Sequence, residues 1–481
     1  MARDAGEDAL DAFRAAAACG NSPEAYYNLA NALAKQAKRT EAVSVYRQAL
    51  ELRTDYADAF NKLSVVLVEM GRPAEAVEAS TRAIAIAPDV ADHHLNMGNA
   101  LRNCGQIDEA TVAYHQALTL QPRNAEIYVA LGNIYLQSGD QVDKAYEAFH
   151  QAYRYRPLDK RAATKPHPDF SVLFINTPDI ANTPVDYLAG GAGYDSYFYT
   201  LFPDSAYDLD VLRSSGDVVV NQIAEEDISH RILPQAIHLI DNLERPVINH
   251  PRKILGTSRE QISQRLSGMP RCRVPKTIRC PGAALMAAAW PATLAEFSFP
   301  LLLRTCGTHG GDEFGLVAAP EAVAELVARQ PGADYYLIEY IPYESADGYF
   351  RKYRFIFVDG QILPYHLAIG DRWKVHHYRT DMANQAWMRE EEEAFVRDPA
   401  VVFSADHFES LRQIQSAIGL DYFGIDCSLD RNGDLVVFEV NATMLVHGET
   451  GIFAYKEPYI TRIKDAFDAM LTKAVQNKGF S

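Results

Sequence analysis

A 34-residue repeat fills the first third of the chain and narrows the possible folds more than any other feature. Tyr26, Leu29, Ala42, Tyr46 and Ala49 recur as Phe60, Leu63, Ala76, Ser80 and Ala83, and again as His94, Met97, Ala110, Tyr114 and Ala117. A fourth copy runs through Tyr128, Leu131, Gly132 and Tyr135 to Ala145, Phe149, Ala152 and Pro157, shifted by one residue after an insertion near Gly139, Asp140 and Gln141. These offsets suit two helices per copy, with Gly98 and Gly132 where the pair approaches closely and Pro88 and Pro122 ending second helices. One such unit cannot bury its apolar face alone, so the copies must stack into a solenoid. Residues 7–19, with Ala9, Phe13 and Ala16, read as a lone second helix of a preceding unit.

The period and its offsets resemble the tetratricopeptide repeat. The resemblance implies either a concave groove that holds a peptide, a carrier protein or a protein partner, or an architectural role. Asn28, Asn31, Asn61, Asn96 and Asn99 fall on first helices near that groove. There they could clamp a peptide backbone or stand as solvated surface.

Residues 156–169 are polar and proline-bearing and read as a linker. Beyond them the texture changes. Residues 170–176, 216–222 and 246–249 read as strands and 228–243 as a helix, which predicts a small parallel α/β unit. The glycines at 190, 191 and 193 read as a flexible loop, because GxGxxG is incomplete and no GxxxxGK[ST] is present.

The chemistry gathers further on. Residues 419–444 read as a hairpin: an apolar strand over 423–429, a turn over 430–434, and a second strand from Leu435 that runs into Glu439 and Asn441. Asp426 lies on the first strand, while Glu439 and Asn441 stand two apart on the second and share a face. Carboxylates on buried strands need neutralising, and Mg²⁺ held together with substrate phosphates is a common solution. Residues 299–304 form an apolar strand ending in Arg304, followed by the glycine-rich stretch 305–311. A cation beside a flexible glycine loop suits a polyphosphate. A helix over 320–329 and a strand over 335–341 complete the set.

In this order the parts resemble an ATP-grasp ligase, similar to D-alanine:D-alanine ligases, glutathione synthetases and ribosomal-protein glutamate ligases. The matching residues are 299–304 with 307–311, then 337–341, 353–357, 424–426 and 438–441, Asp426 preceding Glu439 by 13 residues. The resemblance implies ATP and Mg²⁺, with Asp426, Glu439 and Asn441 on the metal. It implies Glu339, Tyr340 and Ile341 on the adenine, Glu344 or Asp347 near the ribose, and Arg259, Arg304, Gly307, Gly310 and Gly311 about the phosphates. Arg354 would meet the transferred phosphoryl group, with residues 307–311 as a lid. The family usually has lysine where this chain has Arg304, and often where it has Arg259. The residues after Asn441 match no substrate motif.

The implied reaction joins a carboxylate to an amine through an acyl phosphate. Arg372, Lys374 and His376, were residues 370–381 an alternating strand, would share a face and could bind a substrate carboxylate while His376 accepts the amine proton. The expected fold is multidomain: an all-α solenoid over 1–160, a linker over 161–170, an α/β domain over 171–279 and an α+β ATP-grasp domain over 280–481. Substrates are expected to be a carboxylate and an amine, peptide or carrier-linked forms among them, and the family commonly forms homodimers. ATP-dependent phosphotransfer, or a repeat scaffold with a degenerate ATP-grasp unit, are the alternatives. Net charge of -17 leaves no basic face for nucleic acid. With six scattered cysteines, no basic leader and no long apolar run, the expectation is a cytoplasmic protein with reduced thiols and no membrane segment.

Overall fold

The computed structural model describes residues 10, 13–15, 22–138, 141–178, 182–203, 206–286, 297–308, 314–375, 380–442 and 444–477. The chain divides into two compact units, Met1–Pro157 and Leu158–Ser481. In the first, four helix pairs follow one another: Pro23–Lys35 with Arg39–Leu52, Ala57–Glu69 with Pro73–Ile86, Ala91–Asn103 with Ile107–Leu120, and Ala125–Ser138 with Val142–Tyr155. The repeated alanines explain the pairing. Ala42, Ala49, Ala76, Ala83, Ala110, Ala117, Ala145 and Ala152 are all buried, so helix backbones meet closely. The two glycines mark the tightest contacts, since a Cβ on Gly98 would stand 2.4 Å from the Tyr114 ring and one on Gly132 2.6 Å from Phe149. Pro88 and Pro122 each follow a second helix by two residues, as the sequence suggested. Most of residues 7–19, and Gly139 and Asp140, lie outside the described residues.

The second unit holds three sheets. Strands β1 (Leu158–Arg161), β2 (Ser171–Asn176), β3 (Asp195–Thr200), β4 (Val218–Asn221) and β5 (Val247–Ile248) form the first, in the order β1-β3-β2-β4-β5. The central members run parallel, as read from the sequence, while β1 adds an antiparallel edge. Two readings change here. The stretch expected to be linker begins with a strand, because Leu158 to Arg161 find backbone partners on β3. The helix expected over 228–243 is a short turn, Glu226–Ser229, followed by Leu233–Leu243.

Nine more strands follow: β6 (Cys272–Arg273), β7 (Thr277–Pro281), β8 (Leu301–Thr305), β9 (Phe314–Val317), β10 (Asp334–Glu339), β11 (Phe350–Val358), β12 (Gln361–Gly370), β13 (Tyr422–Leu429) and β14 (Leu435–Asn441). They form an antiparallel sheet β7-β10-β8-β9 and a larger one, β12-β11-β13-β14-β6. One face of the larger sheet, carrying Tyr353, Phe355, Phe423, Ile425 and Cys427, packs on Phe395, Phe403, Leu411 and Ile414. Part of its other face packs with the first sheet about the helix Glu457–Asn477, through Ile356, Val358, Phe174, Val220, Ile460 and Phe467. The chain beyond β14 is fastened by Lys456, buried with Glu392 at 3.6 Å and Glu449 at 2.7 Å. No helix among the described residues is long and apolar enough to cross a membrane.

Candidate functional site

A cleft of about 1130 Å³ is lined by residues of the four-stranded sheet and of the larger sheet. The size suits a nucleotide-sized ligand. From β8 and β10 come Leu302, Arg304, Ile338 and Glu339, and from the larger sheet Lys352, Arg354, Asp426, Phe438, Glu439 and Asn441. Arg259 reaches it from the first turn of the helix Arg259–Leu266. Tyr340, Ile341, Arg372 and Lys374 also line it, so eleven of the residues expected to act together do meet.

The hairpin owes its geometry to a bulge. Asp426 stands opposite Glu439, but Cys427 stands opposite Val437, so Phe438 is an extra residue on β14. Strict alternation would send Val437, Glu439 and Asn441 to one face. Instead Val437 joins the core and Val440 packs against it, while Phe438, Glu439 and Asn441 all line the cleft. Bulges re-aim side chains in this way.

Each carboxylate of the pair is matched by cations. Arg354, opposite Asp426 in register, donates from Nε to Oδ1 at 2.6 Å and from Nη2 to Oδ2 at 2.9 Å. Lys352, two residues away on the same face, donates to Oδ2 at 2.9 Å. Burial alone would raise the Asp426 pKa, yet Arg354 and Lys352 hold it far below the ordinary range. Glu439 is ion-paired with Arg259, and Arg259 and Arg304 overcome burial to keep it ionised. Arg304 is itself buried and donates to the Thr308 carbonyl, and burial with the neighbouring Arg259 lowers its pKa. Among the described residues no group of three or more His, Cys, Asp or Glu side chains is placed to hold a metal. The Asp426, Glu439 and Asn441 set offers two carboxylates and an amide, hard-oxygen donors of the kind Mg²⁺ takes, with both carboxylates paired to the neighbouring cations.

The rest of the cleft mixes apolar and aromatic side chains with polar and charged ones, Asp371, Arg372, Asp381 and Gln385 among them. Tyr343 packs on Phe438 at 4.6 Å between ring centres and on Phe350 at 5.1 Å. The Glu339 carboxylate accepts from the Lys276 N–H at 3.1 Å and lies 3.6 Å from Arg273. Asp347 is not part of the lining. Its oxygens accept from Arg351 at 3.0 and 2.8 Å, which pulls its pKa down to about 2. Glu344 likewise pairs with Arg431 at 3.0 Å. Gly307 takes a positive φ of 73° just after β8 and also stands outside the lining. Gly310, Gly311 and His376 lie outside the described residues. The strand expected through Arg372 and Lys374 does not form: β12 ends at Gly370 and the chain bends back so that Val375 packs over that glycine. Burial pushes the Cys306 thiol up to about 12.

Two charged residues escaped the sequence reading. Lys352 shares the two-residue alternation of Arg354, a signal available on any strand. Glu225 follows β4 at the carboxyl end of the parallel strands, where such sheets bind ligands. It lines a small recess with Arg259, Glu439 and Asn441. Burial raises its pKa to about 7, opposed by Arg259 and reinforced by Glu439 and Asp227.

Four of the five groove asparagines bond to other side chains of the repeats, while Asn28 is exposed. Tyr46 donates to Asn31 at 2.6 Å, Tyr114 donates to Asn99 at 2.9 Å, and Asn96 donates to Asn61 at 2.9 Å. Helix pairs of this period and packing define a solenoid of helical hairpins. Residues 21–89 match the tetratricopeptide repeat and residues 98–139 the TPR repeat, so this part of the chain consists of tetratricopeptide repeats. Similar solved structures include MamA from Desulfovibrio magneticus RS-1, 25% identical, covering 32% of this chain and 87% of that one, with a TM-score of 0.30. YrrB, described as a TPR protein with an unusual peptide-binding site, is 24% identical, with 32% and 80% covered and a TM-score of 0.29. A thermophilic TPR protein from Thermus thermophilus is 26% identical, with 32% and 86% covered and a TM-score of 0.29. No curated protein matches the chain.

Proposed function

We propose that residues 158–481 are an ATP-dependent, ADP-forming carboxylate–amine ligase of the ATP-grasp type, and that the tetratricopeptide repeats bind a peptide, a carrier protein or another protein partner. The observation that supports this most is the meeting, in one cleft, of Arg259, Arg304, Arg354, Asp426, Glu439 and Asn441 from four separate stretches of chain. Such a set has little use in a simple structural role, since buried charges are expensive to assemble.

In this reading the base lies among Leu302, Ile338, Tyr343 and Phe438, with Glu339 and the following backbone at its edge. The polyphosphate meets Arg259 and Arg304. Asp426, Glu439 and Asn441 would hold Mg²⁺, which would supply charge neutralisation at the phosphates. A substrate carboxylate oxygen attacks the γ-phosphorus, the bond to ADP breaks, and an acyl phosphate forms. Arg304 and Arg354 stabilise the charge that spreads over the transferring oxygens. An amine then attacks the acyl carbon, phosphate departs, and the amine proton passes to a base, giving an amide. Enclosure by the two sheets keeps water from the acyl phosphate.

Calorimetric titration of ATP with Mg²⁺ into the wild-type protein and into Glu439→Gln tests the reading. Micromolar, Mg²⁺-dependent binding that collapses in the variant is the expected result. Absence of binding to the wild-type protein would overturn it.

A further inference from the structure

Lys352 has no part in the resemblance to ATP-grasp ligases, yet it sits at the centre of the cleft's charge balance. Asp426 accepts from three N–H donors, two from Arg354 and one from Lys352, all within 2.9 Å. The side chains are sheltered, at 5% exposure for Asp426, 17% for Lys352 and 22% for Arg354, so water screens them poorly. Glu439 is likewise taken by Arg259, with Arg304 beside them in the same cleft. Four cations thus face Asp426, Glu439 and the neighbouring Glu225 where the metal would bind, an excess of positive charge. A divalent cation arriving alone meets net positive charge and carboxylate oxygens already occupied. A polyphosphate arriving first offers the cations another partner and leaves the carboxylates free.

We propose that Lys352 is an electrostatic gate for this site: it holds Asp426 closed to divalent metal until a nucleoside triphosphate draws its ammonium away, so that metal and nucleotide bind only together. The inference rests on the ligase reading of the cleft. Lysine suits this task and arginine less so. Arg354 grips both Asp426 oxygens with a rigid fork, whereas Lys352 contributes one point charge on a flexible stem that can swing to a phosphate oxygen without breaking the fork. Its position also permits the swing, because Arg354 stands directly across from Asp426 while Lys352 reaches it diagonally from two residues along β11. Linkage then requires the coupling to be reciprocal: whatever nucleotide does for metal affinity, metal does for nucleotide affinity.

The test follows Mn²⁺ binding by the loss of its free-ion electron paramagnetic resonance signal, with and without the non-hydrolysable analogue AMP-PNP, each titration being corrected for the Mn²⁺ that AMP-PNP binds in protein-free solution. In the wild-type protein AMP-PNP is expected to tighten Mn²⁺ binding at least ~10-fold. Lys352→Met, which leaves the Arg354 fork in place, is expected to bind Mn²⁺ without nucleotide ~10-fold more tightly than wild type, and to bind AMP-PNP more weakly. Lys352→Arg keeps the charge but not the swinging point contact, so it is expected to bind Mn²⁺ without nucleotide as weakly as wild type and to gain less from AMP-PNP, a split that a packing role for the lysine stem would not produce. Equal Mn²⁺ affinity with and without AMP-PNP in the wild-type protein overturns the inference, as does an unchanged ratio in Lys352→Met, and in both cases the ligase reading stands. If AMP-PNP with Mn²⁺ does not bind the wild-type protein at all, the ligase reading falls and takes the gate with it.

Discussion

Glu225→Gln is expected to stabilise the second unit, and to do so only at neutral and alkaline pH. Burial raises the Glu225 pKa from the ordinary 4.5 to about 7, so the folded protein holds this proton more tightly than the unfolded chain. Stability therefore falls as the pH rises between those two values, and the full loss is present above about pH 7. At about 1.4 kcal/mol for each pH unit over which only the unfolded chain is ionised, the carboxylate costs about 3 kcal/mol at pH 8.5 and under about 1 kcal/mol at pH 5. Glutamine has nearly the same shape and carries no such loss. Urea unfolding of wild type and variant at the two pH values measures the difference. The probe is selective, because Trp290, Trp373 and Trp387, the three tryptophans of the chain, all fall within Leu158–Ser481. A gain about 2 kcal/mol larger at pH 8.5 than at pH 5 is expected. Equal effects at both pH values would refute the reasoning, and a destabilised variant at pH 8.5 would show that the carboxylate is held by its cations rather than disfavoured by burial.

Other substitutions test the packing of the repeats and the division of labour within the cleft. Gly98→Ala gains about 1 kcal/mol in helix propensity but places a methyl 2.4 Å from the buried Tyr114 ring, whose hydroxyl is tied to Asn99. A net loss of about 1–2 kcal/mol, read from far-UV circular dichroism melts, is expected, and a stabilised variant would count against the close approach. Asp426→Asn strands Lys352 and Arg354 before a neutral amide and should lower stability by about 3–5 kcal/mol without any ligand, whereas Glu439→Gln, whose carboxylate makes a partly exposed pair with Arg259, should cost about 1 kcal/mol or less in the same tryptophan-monitored titration. Equal losses in the two variants would mean that the cations do not rely on Asp426.

The repeat was legible because its information is local. Helix propensity, a fixed 34-residue offset and the placement of Gly98 and Gly132 all sit within neighbouring residues, and each is matched by the observed helix pairs. The β13–β14 hairpin was legible for the same reason. The misses are strands whose partners lie far away. Asp195–Thr200, polar and aromatic, receives no assignment from the sequence, and Leu158–Arg161 falls in the stretch read as linker, yet the two pair with each other across more than thirty residues and so define the edge of the first sheet. Short strands such as Cys272–Arg273 carry too few residues for any period to show, and take their conformation from β14.

Within the cleft, the types of residue could be read but not their partners. Asp426, Glu439 and Arg354 are all visible in the chain as candidates for ligand chemistry. What the chain does not announce is that β11 and β13 pair so that Arg354 falls opposite Asp426, or that Phe438 is inserted as a bulge. Without the bulge, Glu439 would follow Val437 into the core, where no cation waits and an ionised carboxylate could not be sustained. One inserted residue therefore decides whether the hairpin is a structural ribbon or one wall of a charged cleft. The same pairing alters what a mutation can report. A carboxylate that already satisfies three donors in the ligand-free protein is a structural residue first, and its removal tests folding. Glu439, with a single arginine partner, is the position at which loss of metal-dependent binding can be separated from loss of the fold.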